Sequence, residues 1–258
     1  MTTYFDSAPG ITVTPGQWRP HFPWEHIAWV STPWACHDYL WLDIPEALFA
    51  GDELLFLSHT NPRHPSQNPS LPAVPWRRRA DGIEFERTLS DGVRFAASVT
   101  CRGGRVVDLS LFIENGSDRP LCNITLQTCV YLRALDEFNQ PTTENKFVHA
   151  PQRGWITLKA ATEVEQAQAR GRYRIGFRKG PPVADLPVML CLSRGGDRLI
   201  AMTWYDHTFS LIGNPAHPCM HADPFLPDLT PGRCHSICGR IAFFDCGLDD
   251  LDLSILEK

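Results

Sequence analysis

Between Ile83 and Leu132 apolar residues recur at every second position, and each run is cut by a turn signal. Ile83, Phe85 and Leu89 lead to Asp91-Gly92, and Val93, Phe95, Ala97, Val99 and Cys101 follow. Arg102-Gly103-Gly104 turns the chain into Val107, Leu109, Leu111 and Ile113, and Asn115-Gly116-Ser117-Asp118 turns it into Leu121–Leu132. A period of two sends alternate side chains to opposite faces of an extended chain, which suits a sheet with one buried face and does not suit a helix. Residues 83–132 are therefore predicted as a four-stranded antiparallel meander. Val188–Ser193, the Arg194-Gly195-Gly196-Asp197 turn and Leu199–Asp206 predict a further hairpin, and Ile237–Phe244 a late strand.

Helix signals are scarce. Asp43-Ile-Pro-Glu46 has the form of a capping box with proline in the first turn, which predicts a short helix through Ala47, Leu48 and Phe49. Leu158–Arg170, rich in Ala, Glu and Gln, predicts a second, although Thr162 and Val164 suit a strand equally. There is no βαβ alternation and no glycine-rich phosphate loop, which argues against a nucleotide-binding enzyme. The expectation is one all-β domain over residues 1–258. Residues 60–79 interrupt it with Pro62, Pro65, Pro69, Pro72 and Pro75 and end on Trp76 and three arginines, which reads as a lid or a surface crossover.

A net charge of -5, with Arg77, Arg78 and Arg79 as the one tight cationic cluster, offers no footprint for nucleic acid. No apolar run reaches the roughly 18 residues of a membrane span. Met1-Thr-Thr-Tyr-Phe-Asp lacks the charged and apolar regions of a signal peptide, so a cytoplasmic location is expected. The nine cysteines include no C-x-x-C pair, which predicts mostly reduced thiols in the core. Cys234 and Cys238, with His235 between them, do not match a zinc-knuckle spacing.

Chemistry concentrates in His217-Pro-Cys-Met-His221-Ala-Asp223, where His217, Cys219, His221 and Asp223 occupy alternate positions and project from one side of an extended segment. Two imidazoles, a thiol and a carboxylate on one edge can move protons or bind a metal. Four prolines from Pro215 to Pro227 predict a rigid, exposed, extended loop for this run. Upstream, His37 and Asp38 sit among Trp34, Tyr39 and Trp41, the mixture of aromatic faces and polar groups that holds sugars. His221, Asp223, His37 and Asp38 are the candidate catalytic residues. Trp34, Trp76, Arg78, Trp204 and His207 are the candidates for substrate binding, the last two at the expected end of a strand.

The meander, the Asn115-Gly-Ser-Asp-Arg-Pro-Leu-Cys-Asn-Ile turn and strand, and the closing Pro231-Gly232 strand pair resemble the galactose mutarotase-like superfamily. That resemblance implies an antiparallel β-supersandwich with few short helices; another β-sandwich or a cupin-like barrel is the alternative. It also implies carbohydrate chemistry, since the superfamily includes aldose epimerases, polysaccharide lyases and glycosidase-associated domains. Where the epimerases carry a His-x-Tyr-Phe-type motif, this chain reads Gln127-Thr-Cys129-Val-Tyr131-Leu132, which departs from simple aldose 1-epimerisation. Three readings follow: a lyase, epimerase or hydrolase doing acid/base chemistry on a sugar or uronic acid, with no cofactor required; a mononuclear metalloenzyme with a divalent ion on His217, His221 and Asp223; and a non-catalytic sugar-binding module. The partner in the first and third is a small carbohydrate or an oligosaccharide.

Overall fold

The computed structural model describes residues 10–34, 38–60, 71–177 and 179–257. The first strands are β1 (Val13–Gly16), β2 (Ile27–Ser31), β3 (Tyr39–Ala50), β4 (Glu53–Leu57), β5 (Arg77–Arg78), β6 (Gly82–Thr88), β7 (Val93–Cys101), β8 (Val106–Asn115) and β9 (Ile124–Tyr131). They are followed by β10 (Lys146–Ala150), β11 (Gly154–Thr157), β12 (Tyr173–Ile175), β13 (Pro182–Ala184), β14 (Val188–Leu192), β15 (Leu199–Thr203), β16 (Thr208–Asn214), β17 (His217–Leu226) and β18 (Cys234–Phe244). Among the described residues these form two nine-stranded sheets, one ordered β1-β2-β3-β9-β17-β16-β12-β13 with β4 on β3, the other β11-β10-β14-β15-β18-β8-β7-β6-β5. All pairings are antiparallel except β12 with β16. The protein is all-β, as the alternation predicts.

The alternation also shows where the core lies. Even-numbered Ile124, Leu126, Val130, Met220, Ala222 and Leu226 of the first sheet join Phe85, Phe95, Leu111, Ile113, Ile237 and Ile241 of the second in one buried cluster. At roughly 1.5 to 3 kcal/mol for each large apolar side chain removed from water, this shared layer is what holds the sheets face to face. The odd-numbered residues of β9 and β17 therefore point to the other side of the first sheet.

Several expectations need correction. Strands β6, β7 and β8 are successive neighbours as predicted, but β9 leaves them and pairs with β3 and β17 in the opposite sheet. The cause is the loop after β8: the buried Asn115 amide donates to the carbonyls of Arg119 and Leu229, both at 2.8 Å, and its oxygen accepts from Ser117. That fastening carries the chain across the sandwich and replaces a tight hairpin turn.

Residues 217–226 are not an exposed loop. They form β17, a central strand between β9 and β16, buried at every position except His217 and Phe225. The prolines fit because the ladder spares them. The Pro218 carbonyl accepts from the Leu132 N–H at 2.8 Å, and Pro224 falls in a gap in the β9 pairing between His221 and Phe225. In that gap the Asp223 carboxylate accepts the Thr128 N–H at 3.0 Å, and the Thr128 hydroxyl donates to the Ala222 carbonyl at 2.8 Å.

The predicted helix at Asp43–Phe49 is also strand. Asp43 lies opposite Cys129 and Ala47 opposite Gln127, so β3 spends four residues where β9 spends two, and the resulting bulge contains Ile44, Pro45 and Glu46, with the Ile44–Pro45 peptide cis. Of the second predicted helix only Leu158–Thr162 is α-helical, with a 3-10 turn at Gln166–Gln168; the Thr157 hydroxyl caps the α-helix by accepting the Ala160 N–H at 3.2 Å. A 3-10 turn, Tyr205–His207, ends the Leu199–Thr203 strand earlier than expected.

Candidate functional site

A cavity of about 640 Å³ opens on the free side of the first sheet, where the odd-numbered residues point. Gln127, Cys129 and Tyr131 of β9 and His217, Cys219 and His221 of β17 line it, with Glu46 from the β3 bulge and His59 from the loop after β4. Trp18, Arg19, Phe177 and residues 212–215 complete the wall. The register sets two rows across three strands: Asp43, Cys129 and His221 in one, Trp41, Tyr131 and Cys219 in the next. The every-second-residue spacing of His217, Cys219 and His221 thus does place them on one face, on a strand rather than a loop.

Buried acids hold the rim. Glu25 accepts the Trp18 N–H at 2.7 Å and the Arg19 N–H, pinning the loop between β1 and β2. Asp43 accepts the Ser58 hydroxyl at 2.6 Å and an Arg19 guanidinium N–H at 3.2 Å. Burial pushes both carboxyls above the ordinary range, Asp43 strongly, with Glu46 adding to the effect there. Arg19 in turn lies 4.0 Å over the Trp18 ring, which also stacks with Tyr131 at 4.4 Å and 21°. Trp18 and Tyr131 are therefore a rigid aromatic wall, and Phe177, 50% exposed, stands at the mouth.

The polar centre is a carboxylate between two imidazoles. Glu46 lies 3.9 Å from Nδ1 of His59 and 4.0 Å from Nδ1 of His221, and Asp223 lies 3.5 Å from the same His221 nitrogen. Burial favours neutral His59 and moves its pKa down, with Arg19 reinforcing the effect. For His221 burial acts in the same sense, but the polar contacts with Asp223 and Cys219 outweigh it and raise the pKa well above 6.5. Cys219, next to Cys129 and to this imidazole, has its thiol lowered to about 4, although burial opposes the shift. The contact with Cys219, together with burial, drives the Cys129 thiol up. Both shifts favour a proton on the His221 ring over one on the Cys219 thiol at the floor of the cavity.

Of the residues singled out in the sequence, His217, Cys219 and His221 line the cavity, whereas Asp223 does not line it and lies 3.5 Å from the His221 ring. His37 lies outside the described residues, as does 61–70 of the expected lid, and Asp38 is exposed at the start of β3. Trp76 packs edge-on against Phe85 at 4.9 Å, and Arg78 is exposed on the edge strand β5; neither lines the cavity. Trp34 stacks on Phe138 and donates to Asp245, while Trp204 is fully buried and donates to the Thr128 hydroxyl at 3.1 Å. His207 lies against Phe225 and His235, away from the cavity lining. Among the described residues the cysteines are not mostly core: Cys129, Cys191 and Cys219 are buried, Cys101 and Cys246 half-buried, and Cys122, Cys234 and Cys238 exposed.

Sequence reasoning missed Cys129, Glu46, His59, Trp18 and Arg19. Gln127, Cys129 and Tyr131 alternate with Leu126, Thr128 and Val130, a signal of the same kind as that in β17, but nothing local marks His59 or Arg19.

No protein-family model matches the chain, and no curated protein does either. Among solved structures it is similar to a protein of Synechocystis sp. PCC 6803, at 8% identity over 92% of each chain and a TM-score of 0.45. It is also similar to a GalM/aldose epimerase homologue from C. elegans, at 12% identity over 79% of each chain and a TM-score of 0.43. The likeness to galactose mutarotase and aldose epimerase-like structures is one of strand layout. No helix among the described residues is long and apolar enough to cross a membrane.

Proposed function

We propose that the protein is a carbohydrate-active enzyme that binds a monosaccharide-sized sugar or uronic acid in this cavity and moves protons on it through Glu46, His59 and His221. One observation carries the reading: a carboxylate within about 4 Å of two imidazoles lines a cavity that also contains a stacked aromatic wall. A carboxylate and an imidazole a few ångströms apart can take a proton from one side of a ring and return one to another. An aromatic face beside clustered polar groups suits the apolar face and the hydroxyls of a sugar. A volume of about 640 Å³ falls in the range of small-molecule sites. Arg19, held by Asp43 and lining the cavity, supports the reading as a partner for a hydroxyl or a carboxylate of the ligand.

The test is a panel of free sugars, uronic acids and uronate oligomers, followed by NMR in D2O for binding, for solvent deuterium entering ring positions and for new products. Glu46→Gln is expected to lower turnover by at least about 100-fold with affinity retained, the usual scale for removing a general acid or base. Trp18→Ala is expected to weaken binding by about 1–3 kcal/mol. Binding without deuterium exchange or product, unchanged by Glu46→Gln, would instead establish a sugar-binding module. No binding across the panel to a folded sample would refute the carbohydrate reading.

A further inference from the structure

Two thiols on the cavity floor, Cys129 and Cys219, have no part in the proton transfer proposed above, and they stand beside His221, which does take part. Cys129 Sγ, Cys219 Sγ and a ring nitrogen of His221 all lie within 4.8 Å of one another, and all three residues are buried. The geometry points to a metal site here: the two thiolates and the imidazole bind one zinc-class ion, with the fourth position open to the cavity.

The backbone preorganises the set. Cys129 and His221 face each other across the β9–β17 ladder, Cys219 is two residues along β17, and both strands have hydrogen-bonded neighbours on either side. Tetrahedral zinc with sulfur at about 2.3 Å separates its ligand atoms by ~3.8 Å, so closing these donors onto an ion takes side-chain rotation of about an ångström and no shift of the sheet. Two thiolates and a neutral imidazole balance a dication, and soft sulfur selects zinc-class ions over magnesium or calcium. Carboxylates at 3.5 Å (Asp223) and 4.0 Å (Glu46) from His221 Nδ1 are placed to orient the ring, as outer carboxylates do for metal-bound imidazoles.

Three protein ligands on the floor of a cavity, with space above them, match a catalytic rather than a structural zinc site. This set differs from the trio expected from the sequence: His217 is exposed at the start of β17, and Asp223 is engaged by the Thr128 N–H, so His221 alone is common to both. The site shares His221 with the proposed proton transfer, so with an ion bound that step falls to Glu46 and His59, whatever molecule fills the cavity.

The test uses the full chain, reduced and stripped with a chelator, and titrated with Zn(II) against a chromophoric competitor and with Co(II) by absorption. One equivalent of Zn(II) and a thiolate-to-cobalt charge-transfer band are expected. Cys129→Ser, Cys219→Ser and His221→Ala should each weaken binding by at least about 100-fold, and Asp223→Asn by about 10-fold. Because such variants can misfold, alkylation of the unmodified protein with and without Zn(II), mapped by peptide mass spectrometry, provides an independent readout. Protection of Cys129 and Cys219 but not of exposed Cys122 and Cys234 supports the site. Absence of a charge-transfer band, equal alkylation with and without zinc, or binding unaltered in all three ligand variants overturns it. Loss of zinc binding in Cys129→Ser and Cys219→Ser with sugar chemistry intact supports the site and shows that it is separate from the proposed activity.

Discussion

His26 is fully buried, its ring lies flat against Phe85 with centroids 3.5 Å apart and planes 3° apart, and neither ring nitrogen has a hydrogen-bond partner. Burial, with the Arg87 guanidinium beside it, lowers its pKa well below 6.5, so the folded protein holds this imidazole neutral. The unfolded chain takes up a proton near pH 6.5 and the folded chain does not, so folding stability is fully present above pH 6.5 and falls as pH drops below it. The slope from this group approaches ~1.4 kcal/mol per pH unit. The raised carboxyls of Asp43 and Glu25 act in the opposite sense, so the comparison must be with a variant. Urea unfolding of the wild type and His26→Phe at several pH values between 7.5 and 5 should show a shallower acid slope in the variant. Parallel slopes would mean that His26 is solvated or partnered in solution. His26 lies outside the motif-bearing stretches, and its role is legible only once β2 and β6 are seen to pack, because a lone histidine carries no mark of burial in the sequence.

At the level of elements, strands and their hairpin partners were legible and the long-range pairings were not. Alternation and glycine turns located β6, β7, β8, β14, β15 and β18 closely, since a half-buried strand writes its two faces into its own residues. The crossing of β9 to the opposite sheet depends on the buried Asn115 amide meeting Leu229, 114 positions away, which no local pattern contains. The Asp43–Glu46 capping box misled for a related reason: its carboxylates are turned to Ser58, Arg19, His59 and His221, and none is left to cap a helix. One chain of hydrogen bonds ties the two sheets to the site strand. The Trp204 indole N–H of the β15 end donates to the Thr128 hydroxyl, which donates to the Ala222 carbonyl of β17. Thr128→Val keeps the shape but strands a buried indole N–H, so unfolding free energy should fall by about 1–3 kcal/mol. The Thr128 N–H bond to Asp223 survives, and zinc or sugar affinity should change little. Chemical denaturation beside a binding titration checks both halves, and unchanged stability would show that water replaces the lost partner.

Across the whole molecule the two sheets have divided the work. The first carries the cavity on its free face, and the second has that face covered by the chain's last described segment. Leu248, Leu251, Leu253 and Ile255 pack with buried Leu256 against Val188, Leu190, Leu199, Ala201, Ala242 and Phe244. Arg240 of β18 fastens this cover by donating to the carbonyls of Ile255 at 2.9 Å and Glu257 at 2.8 Å, while its Nε holds Asp108 at 2.8 Å. An uncovered apolar sheet face invites self-association, so the cover matters to solubility as much as to stability. Arg240→Met removes the fastening without removing the stem that packs beneath it, and Leu256→Ala removes a buried anchor at a cost of about 2–5 kcal/mol. Both variants should melt at lower temperature, bind a hydrophobic dye before the main transition and associate at high concentration. The shared core lies between this face and the cavity, so sugar and zinc titrations run well below the melting temperature should match the wild type. Loss of either binding in these variants at a temperature where circular dichroism is unchanged would show that the two faces are coupled, contrary to the division of labour argued here.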